Sequence, residues 1–284
     1  MTIGIGLICK DAIILASDSQ TTRGSVKSLR TQKIQVVNFS NSQVLVAQAG
    51  MADWGEIVIG YIRSEARGKA VEGPDTVAKV VENAVRKLHK HFWELNHLSE
   101  RPAEEAKGFF EPDLILLVAH YWQKKPYVFE IRLSWCVPLE INRHYKAIGV
   151  GADLGQYLMD EHIPVQPDFS DGYPMLVHVI GKVIDNVEGC GHPIWAGIAH
   201  PESEENIEAM SKTHRKCFEN VAVQIPREHI DLVVEELKKG EANARITWEN
   251  HIRAIMGNVK KERFKRMLEE VSSDTEGPFG NAWG

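Results

Sequence analysis

The sequence predicts an α+β fold in which antiparallel β-sheets and α-helices form separate layers. Strand-like runs come in pairs, amphipathic helical segments come in pairs, and the order is strands, two helices, strands, two helices, strands and a helix. Strict alternation of single strands and helices would favour a parallel sheet instead. The 284 residues, of which 43% are hydrophobic and 25% charged, are enough for one large globular domain or two modest ones.

The chain opens with two predicted β-hairpins. The first turns at residues 10–11 and the second at the polar residues 38–41. A three-residue loop over residues 9–11 would pair Thr2 with Asp18, and a two-residue loop moves that pairing by one position. Either loop makes the start of the first strand a neighbour of Asp18. The four predicted strands are residues 3–9, 12–17, 34–37 and 43–49.

The rest of the chain continues with helices in pairs and strands in groups. Helices are predicted over residues 51–69, 75–95, 152–161 and 172–187, where apolar residues recur at helical spacing. Strands are predicted over residues 113–120, 127–133, 144–149, 193–199 and 221–224. A further helix ends at Gly240, and residues 241–284 are predicted to form a helical extension with a mobile tail. This extension is expected either to pack on its own domain or to dock on a neighbouring subunit.

Charge and cysteine content argue against several functions. The 33 basic and 39 acidic residues give a net charge of -6, so neither nucleic acid nor an anionic membrane surface is an expected partner. The four cysteines lie far apart without regular spacing, which argues against a zinc site or a disulfide framework. No apolar run is long enough for a transmembrane helix and no signal peptide is recognisable, so a cytoplasmic location is expected.

Two other patterns give weaker signals. His89, His91 and His97 share a predicted helix. Their spacings of two and six residues do not bring metal ligands to one face of the helix, as a spacing of three or four residues would. Residues 149–155 follow a strand and open a helix, as in a dinucleotide-binding turn, but the surrounding strand-helix-strand unit is missing. No metal and no organic cofactor is therefore expected.

Thr2 has the chemistry of a self-sufficient nucleophile. A threonine hydroxyl is weak by itself, but removal of Met1 would leave an α-amine on the same residue. The reference pKa of that amine, ~7.7 to 8.0, suits a general base at neutral pH. One residue would then supply both nucleophile and base.

Six segments occur in an order and spacing that indicate a known family. They are the strand beginning with Thr2, LASDSQTTRG, Lys33 at the start of the second hairpin, QAGMADW, AIGVGADLGQYLMDE and VIDNVEGCG. Over residues 2–240 the chain resembles the proteasome β-subunit family of N-terminal-nucleophile hydrolases. The resemblance implies a four-layer αββα sandwich of two antiparallel sheets between helical layers. Because only Met1 precedes Thr2, the chain looks more like a bacterial proteasome homologue with a short leader than a classical β-subunit.

The resemblance implies roles for individual residues. Thr2 matches the nucleophile, Lys33 the lysine beside its hydroxyl, and Asp18 the carboxylate that pairs with that lysine. Gly50 matches the glycine whose backbone N–H stabilises the oxyanion, with Ala49 as the alternative because this segment is one residue short.

Three further positions concern the surroundings of the amine. Asp185 matches a supporting aspartate of the family. Val150 stands where the family commonly has a serine between two glycines, and Glu188 stands where another serine is expected. A valine cannot hydrogen-bond the amine, and a second carboxylate can raise the pKa of a neighbour. A first specificity pocket is predicted around Ala47, Gln48 and Met51.

The function that the resemblance implies is threonine-type hydrolysis of peptide bonds inside a homo-oligomeric ring or double ring. Peptides or unfolded proteins would be the substrates, and an ATP-dependent unfoldase would be a further partner. Two alternatives stay open: a ring scaffold that has lost turnover, and an amidohydrolase of the same superfamily that acts on a small amide.

Overall fold

Two five-stranded antiparallel sheets form the centre of the computed structural model, which describes residues 2–23, 26–28, 31–95, 113–163, 166–192, 194–199 and 221–225. The strands are β1 Ile3–Ile8, β2 Ile13–Asp18, β3 Thr21–Arg23, β4 Val26–Ser28, β5 Ile34–Asn38, β6 Gln43–Gly50, β7 Leu114–Trp122, β8 Lys125–Arg132, β9 Leu139–Glu140, β10 Tyr145–Gly149, β11 Ile194–Ala199 and β12 Val221–Ile225. The helices are α1 Ala52–Ala66, α2 Pro74–Leu95, α3 Ala152–His162 and α4 Phe169–Asn186.

The strands form their sheets with few long crossings. The first sheet has the order β10-β1-β2-β11-β12, and the second has the order β5-β6-β7-β8-β9. Strands β3 and β4 make a separate two-stranded ribbon. Consecutive hairpins build most of the second sheet. In the first sheet, β1 pairs with β10 and β2 pairs with β11, which come from distant parts of the chain.

The first hairpin closes with the shorter of the two predicted loops. Gly4 pairs with Ser17 and Ile8 with Ile13, and the Cys9 N–H donates to the Ala12 carbonyl at 2.8 Å. The three-residue alternative is therefore wrong by one position. Continuing the observed register places residue 3, instead of residue 2, opposite residue 18, and this leaves Thr2 just beyond the paired region.

Apolar side chains hold four layers together. Leu15 of β2, Leu45 of β6 and Leu117 of β7 belong to a core between the two sheets. A second core joins the other face of the second sheet to Ile62 of α1 and Leu88 of α2. Helix α3 contacts β1 and β10, and helix α4 contacts β1 and β2, so both helices pack on the first sheet. The predicted α+β sandwich of two antiparallel sheets between helical layers is confirmed.

Several details of the chain differ from, or lie outside, the predictions. The ribbon of β3 and β4 and the two-residue strand β9 are not predicted from sequence, because their short polar runs lack alternating hydrophobicity. The helix ending at Gly240 and the extension over residues 241–284 lie outside the described residues. Within the described ranges, no helix combines the length and apolar character needed to cross a membrane.

Candidate active site

Thr2 lies at the wall of a cavity of about 800 Å³. It immediately precedes β1, and its residue surface is only 2% exposed. Gly50 at the end of β6 and Gly149 at the end of β10 line the same cavity. Strand ends from both sheets therefore meet at the residue that the sequence marks as a nucleophile.

Lys33 lies directly against the Thr2 hydroxyl. Its Nζ donates to Thr2 Oγ1 at 2.6 Å, to Asp18 Oδ1 at 2.8 Å and to the Gln20 carbonyl at 2.5 Å. The Lys33 side chain is 3% exposed. An ammonium group has three N–H donors, and these three acceptors match them in number. The arrangement is thus one that a positively charged lysine satisfies.

Asp18 accepts hydrogen bonds from four donors. Besides Lys33, the backbone N–H of Ile3 donates to Oδ1 at 3.1 Å, and those of Gln20 and Gly191 donate to Oδ2 at 3.1 and 3.0 Å. The carboxylate is fully buried. A buried charge is tolerated when several donors surround it. Asp18 therefore fixes Lys33 and also ties the start of β1 to the segment before β11.

Burial perturbs both charges of this pair. It lowers the pKa of Lys33 below its ordinary value, and the Asp18 carboxylate opposes that shift. Burial likewise raises the pKa of Asp18, while Lys33 and the backbone N–H groups of Gly191 and Ile3 act in the opposite direction. The charged form of Lys33 therefore depends on the Asp18 carboxylate beside it.

The direction of the Gly50 backbone N–H can be inferred from the hydrogen bonds of its neighbours along β6. Strand N–H groups alternate in direction, and the Gln48 N–H donates to the Lys33 carbonyl at 3.0 Å. Gly50 lies two residues after Gln48, so its N–H should point in the same direction as that of Gln48, toward the chain that precedes β5. Ala49 and Met51 point oppositely, and Met51 donates to the Asp113 carbonyl at 3.0 Å. The alternation favours Gly50 over Ala49 as a donor to a ligand.

The backbone at Gly50 accepts only glycine. Its φ is +109°, a region that side chains of L-residues rarely adopt. A Cβ atom there would lie 1.9 Å from the Asp113 carbonyl oxygen. The glycine therefore allows β6 to end in close contact with the residues that begin β7.

The positions linked to the amine are less closely gathered. Val150 lines the cavity and is 49% exposed. Asp185 is an exposed residue in the last turn of α4, Glu188 is exposed just beyond that helix, and neither lines the cavity. Thr2, Asp18 and Lys33 thus meet as predicted, whereas the described structure does not bring Asp185 to them.

Of the three residues predicted to shape a specificity pocket, only Met51 lines the cavity. It is 50% exposed. Ala47 belongs to the core between the sheets, and Gln48 is buried beneath Gly55 of α1. Ala47 thus faces the other sheet and Gln48 faces helix α1, so that part of the prediction finds no support in the cavity.

Sequence reasoning missed an ionic cluster at the same cavity. Glu130 of β8 is almost buried and accepts hydrogen bonds from Arg132 Nε at 2.5 Å and Lys146 Nζ at 3.0 Å. Burial of Glu130 disfavours its charge, but hydrogen bonds from Arg132 and Lys146 outweigh that cost and lower its pKa. Lys146 lies on β10, so this cluster bridges the two sheets. The only signal in the sequence was a charged residue inside an otherwise apolar strand.

Metal ligands are not clustered in the part of the chain that the structure describes. No three residues of the types His, Cys, Asp and Glu are arranged there to hold a metal ion. His89 and His91 lie on α2, while His97 is outside the described ranges.

Comparison with known protein families gives one match, which covers about two thirds of the chain. A family model described as "Proteasome subunit" matches residues 2–194. The chain belongs to the proteasome subunit family. The match begins at Thr2 and contains Asp18, Lys33 and Gly50. Comparison with curated protein sequences found no match.

Solved structures of proteasome-like proteins share the fold. The Anbu (Gly-1) mutant from Hyphomicrobium sp. strain MC1 is 14% identical, with a TM-score of 0.61 and coverage of 89% of this chain and 96% of that chain. Anbu (ancestral beta-subunit) from Yersinia bercovieri is 12% identical, with a TM-score of 0.61 and coverage of 84% and 94%. The helical assembly of the Anbu complex from Pseudomonas aeruginosa contains a chain with 12% identity, a TM-score of 0.61 and coverage of 90% and 96%. At such identities the similarity establishes the fold of this family member.

Proposed function

We propose that this protein is an N-terminal threonine hydrolase that cleaves peptide amide bonds after removal of Met1. The observation that carries the proposal is the 2.6 Å contact between Lys33 Nζ and Thr2 Oγ1 at the wall of a large cavity. Family membership supports this chemistry because residues 2–194 match the family model from the proposed nucleophile onward.

The first half of the reaction forms an acyl-enzyme. Thr2 Oγ1 attacks the carbonyl carbon of the substrate, and its proton passes to the free α-amine of Thr2. The Lys33 ammonium stabilises the developing alkoxide, and Asp18 keeps that ammonium in place. The C–N bond then breaks, and the α-amine returns the proton to the leaving amine.

The second half of the reaction releases the acyl group. The same α-amine takes a proton from water, which attacks the ester carbonyl. The ester bond to Thr2 Oγ1 then breaks, and the α-ammonium returns its proton to Thr2 Oγ1, which regenerates the hydroxyl and the free amine. In both halves the carbonyl oxygen becomes an oxyanion. We assign its stabilisation to the backbone N–H of Gly50, in line with the direction of that group described above.

Self-association is the second part of the proposal. The Pseudomonas aeruginosa relative is described as a helical assembly, and we propose that this chain also assembles into a homo-oligomer, with a ring or double ring as the expected form. Peptides or unfolded proteins would reach the cavity from inside such an assembly, with or without an ATP-dependent unfoldase. The cytoplasmic location expected from the sequence stays a prediction.

A non-catalytic scaffold is the second candidate function. It is favoured by one observation: Val150, a cavity residue without a hydrogen-bonding group, and the exposed Asp185 offer the α-amine none of the support that the sequence predicts. A hydrolase of small amides uses the same residues, and differs from a peptidase only in the substrate that fits the cavity.

Covalent labelling tests the proposal. The protein without Met1, confirmed by intact mass, is incubated with a peptide epoxyketone, which reacts with a hydroxyl and an α-amine on one residue. We expect peptide mapping to place the adduct on Thr2, and a fluorogenic peptide to be hydrolysed. Hydrolysis by Thr2→Ala at the rate of the unsubstituted protein would reject Thr2 as nucleophile.

Two lysine variants provide matched controls. Lys33→Ala should label at least about 100-fold more slowly, because loss of one preorganised donor to a developing oxyanion costs about 100- to 1,000-fold in rate. Lys125→Ala, at an exposed position of β8, should label at the original rate. A folded, Met1-free protein that neither labels nor cleaves a broad peptide library would favour the scaffold.

A further inference from the structure

Arg132 occupies a defined place in the wall of the cavity that contains Thr2. It pairs with Ile115 of β7, and Ile115 pairs with Ala49 of β6. The side chains of Ile115 and Ala49 belong to the core between the two sheets. Residues that pair across neighbouring strands share one face of a sheet, so the Arg132 side chain lies on this inner face as well. Its place among the lining residues of the cavity agrees with that direction.

The strand register also gives the distance between Arg132 and the proposed oxyanion site. Neighbouring strands lie ~4.8 Å apart, so two such steps separate the Arg132 backbone from Ala49 by about 10 Å. Ala49 immediately precedes Gly50, the proposed oxyanion donor. Since an extended peptide covers about 3.3 Å per residue, a substrate group that meets Arg132 lies roughly three residues from the bond that Thr2 would attack.

Two contacts restrict the Arg132 side chain. Its Nε donates to Glu130 Oε1 at 2.5 Å, and its Cζ lies 5.0 Å from the centre of the Trp135 ring. The Glu130 side chain is 7% exposed, and Lys146 Nζ of the other sheet contacts its second oxygen at 3.0 Å. A nearly buried carboxylate, itself fixed from both sheets, therefore orients the guanidinium. A ligand that binds such a side chain pays little of the entropy normally lost in ordering it.

The terminal nitrogens of Arg132 remain accessible to a ligand. A guanidinium has five N–H donors, four of which belong to the two Nη groups. Within the described part of the chain, Glu130 is the only acceptor that contacts Arg132, and it does so through Nε. The Arg132 side chain is 36% exposed. The planar arrangement of these N–H groups matches the two oxygens of a carboxylate.

The cluster carries one more positive than negative charge. Burial disfavours the charged form of Glu130, but hydrogen bonds from Arg132 and Lys146 outweigh this and lower its pKa, so it stays ionised. Glu130 and Lys146 alone would suffice to link the two sheets, which leaves the charge of Arg132 for another partner. Three aspartates also line the cavity, so attraction of an anion depends on the directed donors of Arg132 and not on the overall charge of the wall.

We propose that Arg132 determines specificity by binding a carboxylate of the substrate through its Nη groups, roughly three residues from the scissile bond. This inference rests on the proposed hydrolase function and specifies the substrate class of that site. An acidic side chain and the C-terminal carboxylate of a short peptide both supply the required group, and the peptides described next distinguish these two sources.

Paired peptides test the preference in the full chain without Met1. One series carries glutamate or glutamine at a single position, between two and four residues before or after the cleaved bond. A second series ends in a carboxylate or an amide three residues after that bond. At one position we expect kcat/KM, followed by mass spectrometry, to be about 10-fold higher for the carboxylate, the lower range for a hydrogen bond to a charged group. The advantage should shrink in 0.5 M salt, because ions screen charges that water can reach.

Arginine variants identify the source of the preference. Arg132→Met should remove the advantage of the carboxylate peptides. Arg132→Lys should keep part of it, because an ammonium keeps the charge without the paired donors, and it also keeps a positive charge beside Glu130 should the methionine variant not fold. Arg86→Met is the matched control, since Arg86 is also an exposed arginine paired with a carboxylate, that of Glu82 at 2.7 Å, but does not line the cavity. It should leave the advantage where it was.

The outcomes separate the two proposals. Equal hydrolysis of both members of every pair overturns the preference and leaves the hydrolase intact, and so does a preference that persists in both Arg132 variants. If none of the peptides is hydrolysed, the hydrolase proposal fails, and fluorescence anisotropy of the same peptides, labelled at the amino terminus, then decides the preference. Tighter binding of the carboxylate peptide that is lost in Arg132→Met supports it, and equal binding within every pair rejects it.

Discussion

Gly149 approaches Thr2 so closely that a Cβ atom on it would stand 2.2 Å from the Thr2 carbonyl oxygen. The next glycine, Gly151, donates its N–H to that same oxygen at 3.3 Å. The chain around Val150 therefore wraps the main chain of Thr2 and limits where its hydroxyl can lie. The position of Thr2 depends on the absence of a side chain at Gly149.

Gly149→Ala should damage turnover more than folding. Its φ of +91° adds backbone strain of about 1–2 kcal/mol to the steric conflict. Displacement of Thr2 by a fraction of an ångström should lower kcat about 10- to 100-fold, measured with a fluorogenic peptide beside circular dichroism. Gly60→Ala is the control, because no atom lies within 4 Å of its added Cβ and alanine favours a helix. Unchanged kcat in Gly149→Ala would contradict this account.

Asp18→Asn should destabilise the whole domain. An asparagine leaves Lys33 without its charged partner. Its single amide NH2 would face either the N–H of Ile3, which donates to Oδ1, or those of Gln20 and Gly191, which donate to Oδ2. Removing one partner of a buried ion pair typically costs ~3–5 kcal/mol. Urea unfolding followed by tryptophan fluorescence measures the loss of unfolding free energy.

The control for this substitution is Asp171→Asn. Asp171 is an exposed residue in the first turn of α4, so its loss of charge should change the unfolding free energy by less than about 1 kcal/mol. A similar effect of both substitutions would mean that the four donors around Asp18 contribute little to stability.

His120 should make the protein less stable in mild acid. It is fully buried in β7 and stacked on Tyr127, and burial lowers its pKa to about 4. In the unfolded chain its pKa is ~6.5, so the unfolded state binds the proton first as the pH falls. The stabilisation is complete above pH 6.5 and declines toward pH 4. Between pH 7 and pH 5 this single group should cost about 2 kcal/mol.

His120→Leu isolates that contribution. Urea unfolding at pH 7 and pH 5 gives the pH dependence of both proteins, and the leucine variant should lose the part due to His120. The remaining dependence comes from carboxylates and other histidines. An equal loss of stability in both proteins would assign the acid sensitivity to other groups.

Val150→Ser tests whether the amine of Thr2 lacks support. Val150 lines the cavity and is half exposed, so a serine there should change stability by less than about 0.5 kcal/mol. Its hydroxyl can hydrogen-bond the amine, and kcat should rise several-fold. Val137→Ser, at a similarly exposed position outside the cavity, is the control. A rise in both variants would point to solubility instead of catalysis.

Assembly is checked by sedimentation velocity. The 32.0 kDa chain should form a homo-oligomer at micromolar concentration, and electron microscopy should distinguish closed rings from helical filaments. A stable monomer would overturn the assembly proposal. Removing residues 244–284 then assigns the C-terminal extension: dissociation supports a role between subunits, and an unchanged oligomer supports local packing.

Local patterns predicted the fold because its strands and helices have strong hydrophobic periodicity. The pairing of β1 with β2 could be predicted from the turn between them. The register was uncertain by one residue, because the sequence fits a two-residue loop as well as a three-residue loop. Lys33 and Asp18 could be brought together only through family resemblance, since β5 and β2 lie in different sheets. No periodicity encodes the distance between two sheets.

The remaining site features depend on tertiary contacts. Gly191 donates to Asp18, and Lys146 contacts Glu130 from the other sheet. Neither contact could be predicted from sequence, because the partners are far apart in the chain and their residue types are common. The prediction for Asp185 rested on its place in VIDNV, a pattern that fixes the helix without fixing which face meets the cavity. Side-chain direction at a helix end depends on how that helix packs.

The hydrogen bond from Gly191 to Asp18 joins residues that are 173 positions apart in the chain. A ribosome that adds about 5 to 20 residues per second needs roughly 10 to 35 s to cover that distance. Throughout this interval the amino terminus, Asp18 and Lys33 have been made, while a donor that orients the carboxylate has not. Met1 is therefore open to processing enzymes before the donors around Asp18 are complete, and a hydrolase of the kind proposed above would gain its organised nucleophile only after most of its chain had been made.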